Sequence, residues 1–225
     1  KVRHVLRLDE NLAGFYEMLK EDPDLAWAAR GAGRMIRSPT VFEEVVKTVC
    51  TTNCSWGATR KMVSTLVSEL GQPAAGAPVE GPAGRAFPTP EVMAAAPERF
   101  YREVMRAGYR GPYFQALARS VASGQVDLEA LAIEDLDDAE VAVRLQALPG
   151  VGPYAAAHTM MMIGRYSLLI LDSWTRPKYA RLVGRKSVKD ATIVRRFKRY
   201  GDWAGLAFWL FLTDDWLEDK TQGSV

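Results

Sequence analysis

The spacing of apolar and polar positions predicts a chain built almost entirely of helices. Leu12 to Leu19 (LAGFYEML) carries its apolar residues at helical intervals, with Asp9 or Asn11 ahead of it as a cap. Leu25 to Arg30 predicts a short second helix, broken by Gly31 to Gly33. Ser38-Pro39-Thr40 opens the next, whose pattern VFEEVVKTVCTTN puts Phe42, Val45, Val46 and Val49 on one face. Thr51 to Ser55 is a polar break, and Trp56 to Leu70 reads as the following helix. Gly71 to Pro90 holds four glycines and five prolines and predicts an irregular surface loop. After it come two predicted helices, Glu91 to Arg106 and Gly111 to Ser123, then two short ones, Leu128 to Leu131 and Asp138 to Leu145. Tyr154 to Ile163 (YAAAHTMMMI) is apolar and helix-compatible, and Gly164 can stop it. Trp203 to Trp216 predicts a strongly apolar last helix. At the other end VRHVLRL alternates like a strand, with no evident partner. No internal repeat interrupts the series. The predicted class is all-α, about ten helices in one continuous unit.

Composition narrows this picture modestly. A chain of 225 residues can bury a sizeable core, and its balance of residue types is that of a soluble globular protein. The net charge of +2 is too small to identify a nucleic-acid partner; its distribution says more. Arg176 to Arg199 contains ten Lys or Arg and one acid, Asp190, while acids collect elsewhere, especially in Glu134 to Glu140. Such a stretch fits phosphate contacts, or the solvated face of a surface helix. Two cysteines, Cys50 and Cys54, are too few for a disulfide framework or a four-thiolate iron–sulfur cluster, and read as small core residues. No apolar run reaches membrane-spanning length and no signal peptide is visible, so no membrane partner is expected.

The candidate chemistry lies between Leu145 and Asp172. A short hairpin, Leu148 to Pro153 (LPGVGP), joins two helical patterns. Gly150 and Gly152 supply backbone freedom without bulk, and Pro153 suits the first position of a helix. Backbone N–H groups across Gly150, Val151 and Gly152 would face outward at the positive end of a helix dipole, a site for a phosphate. The competing reading is a helix corner closed by two glycines. About one helix length later stands an isolated acid, Asp172, either a reactive carboxylate or the cap of a helix from Ser173. A second turn, Ala107 to Tyr113 (AGYRGPY), sets Tyr109 and Arg110 between glycines. An exposed aromatic wedge and a cation suit insertion beside an unstacked base; alternatively Tyr109 packs over the helix corner.

This constellation resembles the helix-hairpin-helix (HhH-GPD) DNA glycosylases, with features of their 8-oxoguanine and 3-methyladenine glycosylase II branches. LPGVGPYAA matches the hairpin, Asp172 matches the catalytic acid, and the likeness extends over nearly the whole chain. It implies two helical lobes flanking a DNA-binding cleft, lobe A at about 38–165 and lobe B at about 9–37 plus 166–220. Asn53 matches an Asn that enters the gap left by a flipped base, although Asn also favours helix caps. Tyr109 and Arg110 match the family's wedge and Arg. By position, the backbone carbonyls of Gln146, Leu148 and Val151 would hold a monovalent cation. In the bifunctional branch a Lys sits two residues past the second hairpin glycine; here that residue is Tyr154, with Lys178 the nearest Lys after Asp172. His158 takes the place of a residue that packs on the flipped base. Phe208 stands where the 8-oxoguanine branch has a base-reading Gln. The last helix resembles the final core helix of the 3-methyladenine branch, with one or two aromatics facing a pocket. A sheet domain often precedes this region in the family. The chain begins at Lys1 rather than Met, so the short N-terminal strand is expected to be the remnant of such a domain.

The resemblance implies a base-excision-repair glycosylase acting on double-stranded DNA that contains a damaged base. Tyr154 in place of Lys points to a monofunctional enzyme. An aromatic pocket that stacks on electron-poor bases points to N-alkylated purines. The alternatives are an 8-oxoguanine-type glycosylase/lyase and a non-catalytic helix-hairpin-helix module that binds distorted DNA. The chain is expected to act as a monomer and to need no cofactor beyond the hairpin cation. Its expected place is the cytoplasm or nucleoid of a bacterium, or the nucleus of a eukaryote.

Overall fold

The computed structural model describes residues 2–133 and 135–218 and is all-α. In chain order the α-helices are α1 (Val2–Val5), α2 (Ala13–Leu19), α3 (Val41–Thr51), α4 (Trp56–Leu70), α5 (Pro90–Ala95), α6 (Gly111–Ala122), α7 (Ala130–Ile133), α8 (Asp138–Gln146), α9 (Pro153–Ile163), α10 (Thr175–Leu182), α11 (Asp190–Phe197), α12 (Ala204–Thr213) and α13 (Asp215–Glu218). Tighter 3₁₀ turns cover Ala26–Arg30, Gly108–Arg110 and Lys198–Trp203, and Phe100–Val104 forms a π-helical turn. Among the described residues the extended backbone makes only an isolated antiparallel bridge, Pro73 with Arg85, inside the predicted irregular loop. No described helix is long and apolar enough to cross a membrane.

The chain divides into two compact units. One comprises Lys1–Pro39 with Met160–Val225, the other Thr40–Thr159. Residues 134, 219 and 220, which fall within the predicted acidic stretch and lobe B, lie outside the described residues.

In the Thr40–Thr159 unit, α3 begins where Thr40 accepts the Glu43 N–H through Oγ1 at 3.2 Å. The Glu129 carboxylate also accepts the Val41 N–H at 2.8 Å. Phe42, Val45, Val46 and Val49 are buried along the predicted stripe. Ser55 caps α4 in the same way, accepting the Ala58 N–H. In the other unit Phe15, Leu19, Phe197, Tyr200 and Phe208 form a buried aromatic and aliphatic core. Gly205 lets α12 lie directly on the Tyr166–Leu168 backbone. Its N–H donates to the Tyr166 carbonyl at 2.6 Å, and an added Cβ would meet the Leu168 oxygen at 2.1 Å.

Three sequence expectations are corrected. VRHVLRL is not a strand: Val2–Val5 is helical and Arg7 turns the chain at φ 52°. A strand with no partner would leave its backbone groups unpaired, and the helical turn pairs them locally. The Val5 carbonyl accepts the Arg37 N–H, and Arg7 bonds Glu10 and the Met162 carbonyl. Glu91 to Arg106 is not one helix, because Pro97 lacks an N–H and forces Ala96 into an extended conformation (φ −63°, ψ 133°). The last apolar helix ends at Thr213, and α13 follows separately.

Candidate active site

The hairpin sits between α8 and α9, in Ala147–Gly152. Asp137 caps α8 through the Ala139 N–H. Leu148 and Val151 are buried, and the Val151 N–H closes the turn on the Leu148 carbonyl at 3.2 Å. Gly150 adopts φ 80° and lies against Tyr113, where an added Cβ would come within 2.9 Å of the ring. Gly152 differs. Its φ is not left-handed, it is exposed, and a Cβ there would touch nothing within 4 Å. The N–H groups of Gly150 and Gly152 meet no acceptor among the described residues. The turn therefore presents donors at the start of an eleven-residue helix. The Leu148 carbonyl keeps a second lone pair while accepting Val151, and the Gln146 side chain folds back onto the Ala142 carbonyl. Gly152→Asp is expected to leave the fold intact yet weaken binding to any duplex about tenfold at low salt, with added salt masking the loss. Gly150→Ala is expected to lower thermal stability. Equal low-salt affinity of the Gly152 variant and the parent, in a fluorescence anisotropy titration, would remove the hairpin as a DNA contact.

Asn53, Tyr109 and Arg110 come together at a second corner of the same unit. The α3 helix leaves its last carbonyls without intrahelical donors. Thr51, Thr52 and Thr59 hydroxyls donate to the Thr48, Val49 and Cys50 carbonyls, and the Arg110 guanidinium donates to the Thr52 carbonyl at the C-cap, to Thr52 Oγ1 at 3.0 Å and to the Ala107 carbonyl at 3.3 Å. It is 6 % exposed, which corrects the expectation of an exposed cation. Its carbon centre lies 4.6 Å over the Tyr109 ring. Tyr109 is 55 % exposed and accepts a 3.0 Å hydrogen bond from Asn53 Nδ2, which holds the phenol below its usual range. Asn53 is left-handed at φ 45° and does not cap α4, a role taken by Ser55.

Tyr154 and His158 share one face of α9, their ring centroids 6.0 Å apart. Tyr154 Oη bonds Thr51 Oγ1 at 3.1 Å, and His158 Nδ1 bonds Thr48 Oγ1 at 3.2 Å. His158 also lines a cavity of about 360 Å³ whose walls are Glu44, Lys47 and Thr48 from α3 and Trp56 and Arg60 from α4. Sequence reasoning missed this cavity. Its one signal was Glu44 and Thr48, two polar residues four apart on a helix that buries them both.

In the other unit Asp172 Oδ1 accepts the Trp174 N–H at 2.8 Å and the Thr175 N–H at 2.6 Å. In return the Asp172 N–H donates to Thr175 Oγ1 at 2.8 Å. The carboxylate is thus fixed at the head of α10 through one oxygen, Oδ2 accepts no hydrogen bond among the described residues, and the Asp172 charge also acts on Arg176. Trp174 stands beside it in a cluster with Trp209 and Trp216, centroids 5.8–6.1 Å apart. These indoles were not singled out from the sequence. Phe208, which was, is fully buried between Tyr179 and Phe197 and cannot line a pocket. Lys178 is 7 % exposed and its amine pairs with Asp215.

The basic stretch is partly neutralised. Arg176 pairs with Asp190, Arg196 with Asp24 and Arg199 with Asp22, each at 2.8–3.1 Å. Arg181, Arg185, Lys186 and Lys189 are exposed and make no ion pair among the described residues.

Several solved structures share this architecture. The 8-oxoguanine glycosylase/lyase of Clostridium acetobutylicum superposes with a TM-score of 0.77 at 22% identity, over 94% of this chain and 73% of that one. The 3-methyladenine DNA glycosylase of Archaeoglobus fulgidus gives 0.70 at 22% identity, over 96% and 73%. That of Schizosaccharomyces pombe, solved with abasic DNA, gives 0.67 at 19% identity, over 93% and 98%. No family model and no curated protein sequence matches the chain. The chain has the fold of DNA glycosylases.

Proposed function

We propose that this chain is a base-excision DNA glycosylase that hydrolyses the N-glycosidic bond of a flipped damaged base without lyase activity, favouring N-alkylated purines. The observation that carries the reading is Asp172, immobilised by two backbone N–H groups through Oδ1, with Oδ2 accepting no hydrogen bond among the described residues. As the glycosidic bond breaks, positive charge builds on the sugar. A fixed carboxylate stabilises that charge and takes a proton from the attacking water. An N3- or N7-alkylated purine already carries a positive charge and departs as a neutral base, so no strong acid is required. The Trp174, Trp209 and Trp216 faces suit stacking on such electron-poor rings. Asn53 and Tyr109 would occupy the gap in the duplex, with the buried Arg110 backing the Tyr109 ring. The hairpin N–H groups and the exposed cations from Arg181 to Lys189 would bind phosphates. A monovalent cation on the Gln146, Leu148 and Val151 carbonyls would stiffen the hairpin and take no part in the chemistry. Tyr154 supports the monofunctional reading, as does Lys178, whose amine is held by Asp215.

The test is a panel of duplexes, each with one defined lesion, resolved on gels with and without alkali. Cleavage of the 3- or 7-methylpurine duplexes after alkali only is expected. Cleavage of 8-oxoguanine duplexes alone would replace the substrate assignment, and no cleavage of any duplex would replace the enzymatic one.

A further inference from the structure

We propose that Tyr113 is a positioning residue, whose ring ties the hairpin to the Asn53–Tyr109 corner and fixes the aromatic edge that enters the duplex. The inference rests on the insertion role proposed for that corner and names the residue that braces it. Three segments far apart in sequence meet at this ring, all within the Thr40–Thr159 unit. Tyr113 lies in the first turn of α6, four residues after Tyr109 in the 3₁₀ turn that runs into it, so the two share one face. Their ring centroids are 6.2 Å apart and their planes 77° apart, an edge-to-face pair. The same side chain is seated on the hairpin. A Cβ added at Gly150 would meet Tyr113 Cδ2 at 2.9 Å and its Cβ and Cγ at 3.2 Å. Tyr109 is held in turn by Asn53 at its hydroxyl and by Arg110 at its face. The start of α6 is itself anchored, because Gly111 packs on the buried Tyr101. Tyr113 is not a core residue. It is 39 % exposed, and its hydroxyl makes no hydrogen bond among the described residues. Its ring acts through the contacts with Gly150 and Tyr109. A mobile Tyr109 would lose rotamer freedom on entering DNA, whereas a braced one has less to lose. With the hairpin on a phosphate, the brace also sets which step of the duplex meets Tyr109.

The experiment measures, by fluorescence anisotropy, the affinity of the whole chain for two duplexes of one sequence. One is intact; the other carries a tetrahydrofuran abasic analogue, which offers the gap and holds no glycosidic bond. The parent is expected to prefer the abasic duplex. The ratio of the two affinities is the readout, because a loss that falls on both duplexes alike cancels in it. Tyr113→Leu is expected to lower that ratio about fivefold, the worth of an aromatic pair. Tyr113→Phe keeps the ring and is expected to keep the ratio. Gly150→Ala, which drives a Cβ into the ring, is expected to lower the ratio as Tyr113→Leu does, and to lower it no further when the two are combined. In Tyr109→Ala the ring to be braced is gone, so adding Tyr113→Leu should change the ratio no more. A ratio untouched by Tyr113→Leu, a Phe variant that behaves as Leu does, or a Tyr113→Leu loss that persists undiminished in Tyr109→Ala would overturn the inference. The Tyr113 and Tyr109 variants decide the matter even if Gly150→Ala fails to fold. A parent that prefers the abasic duplex whatever stands at position 113 would sink this inference alone and leave the function standing. A parent that binds both duplexes equally would overturn the insertion role and this inference with it.

Discussion

Asp172→Asn is expected to slow base release by about 10²–10⁴-fold, the usual worth of a positioned acid–base group, while duplex binding is kept or tightened. The substitution separates two roles that one side chain holds at once. Asn retains an Oδ1 that accepts from the Trp174 and Thr175 N–H groups, and it caps helices as well as Asp does. Thermal stability should therefore change little. What disappears is the negative charge that, on the proposed mechanism, faces the developing sugar cation. Loss of that charge also removes repulsion towards nearby phosphates, hence the equal or tighter binding. Asp172→Ala would mix the effects, because it also removes the cap, at a cost of about 1 kcal/mol. Single-turnover excision and anisotropy, measured on the same Asn variant, check both parts. An unchanged excision rate would reduce Asp172 to a structural cap.

The second large effect concerns strand cleavage. A lyase needs an unprotonated amine that attacks the sugar and forms an imine. On the sequence resemblance, the hairpin position of that Lys corresponds here to Tyr154, whose hydroxyl bonds Thr51. The Lys178 amine is engaged by the Asp215 carboxylate. Base removal should thus leave an intact abasic strand, broken only by alkali, and borohydride should trap no covalent protein–DNA complex. Tyr154→Lys could introduce trapping where the parent has none. Efficient trapping by the parent would contradict the monofunctional reading, and its loss in Lys178→Ala would name the nucleophile.

Much of the helical frame was legible because periodicity and punctuation agree. Ser55 and Gly71 bracket Trp56–Leu70, and the α8–hairpin–α9 pattern shows in LPGVGP followed by an apolar run. The gaps have physical reasons. Alternation in VRHVLRL cannot distinguish a strand from a short helical turn when pairing partners decide the matter. On α12 nearly every position is apolar, so no period says which face is open. The resemblance points to Phe208, whereas its neighbour Trp209 joins the indole cluster beside Asp172. The two hairpin glycines look alike in sequence. Only Gly150 is required by the fold, through its φ and the Tyr113 ring, and this leaves Gly152 as the cleaner probe of DNA contact. Arg110 reads as an exposed cation because the Thr52 carbonyl that engages it lies 58 residues away in sequence. The Glu44 cavity depends on three helices meeting, which no local pattern encodes.

The most direct test is to measure the free base itself. The protein is incubated with duplex DNA bearing 3-methyladenine or 7-methylguanine, and the low-molecular-mass fraction is quantified by chromatography and mass spectrometry. Free methylated purine is expected in an amount equal to the abasic sites formed, with almost none from Asp172→Asn. A duplex that is bound with its methylated base still attached would contradict it.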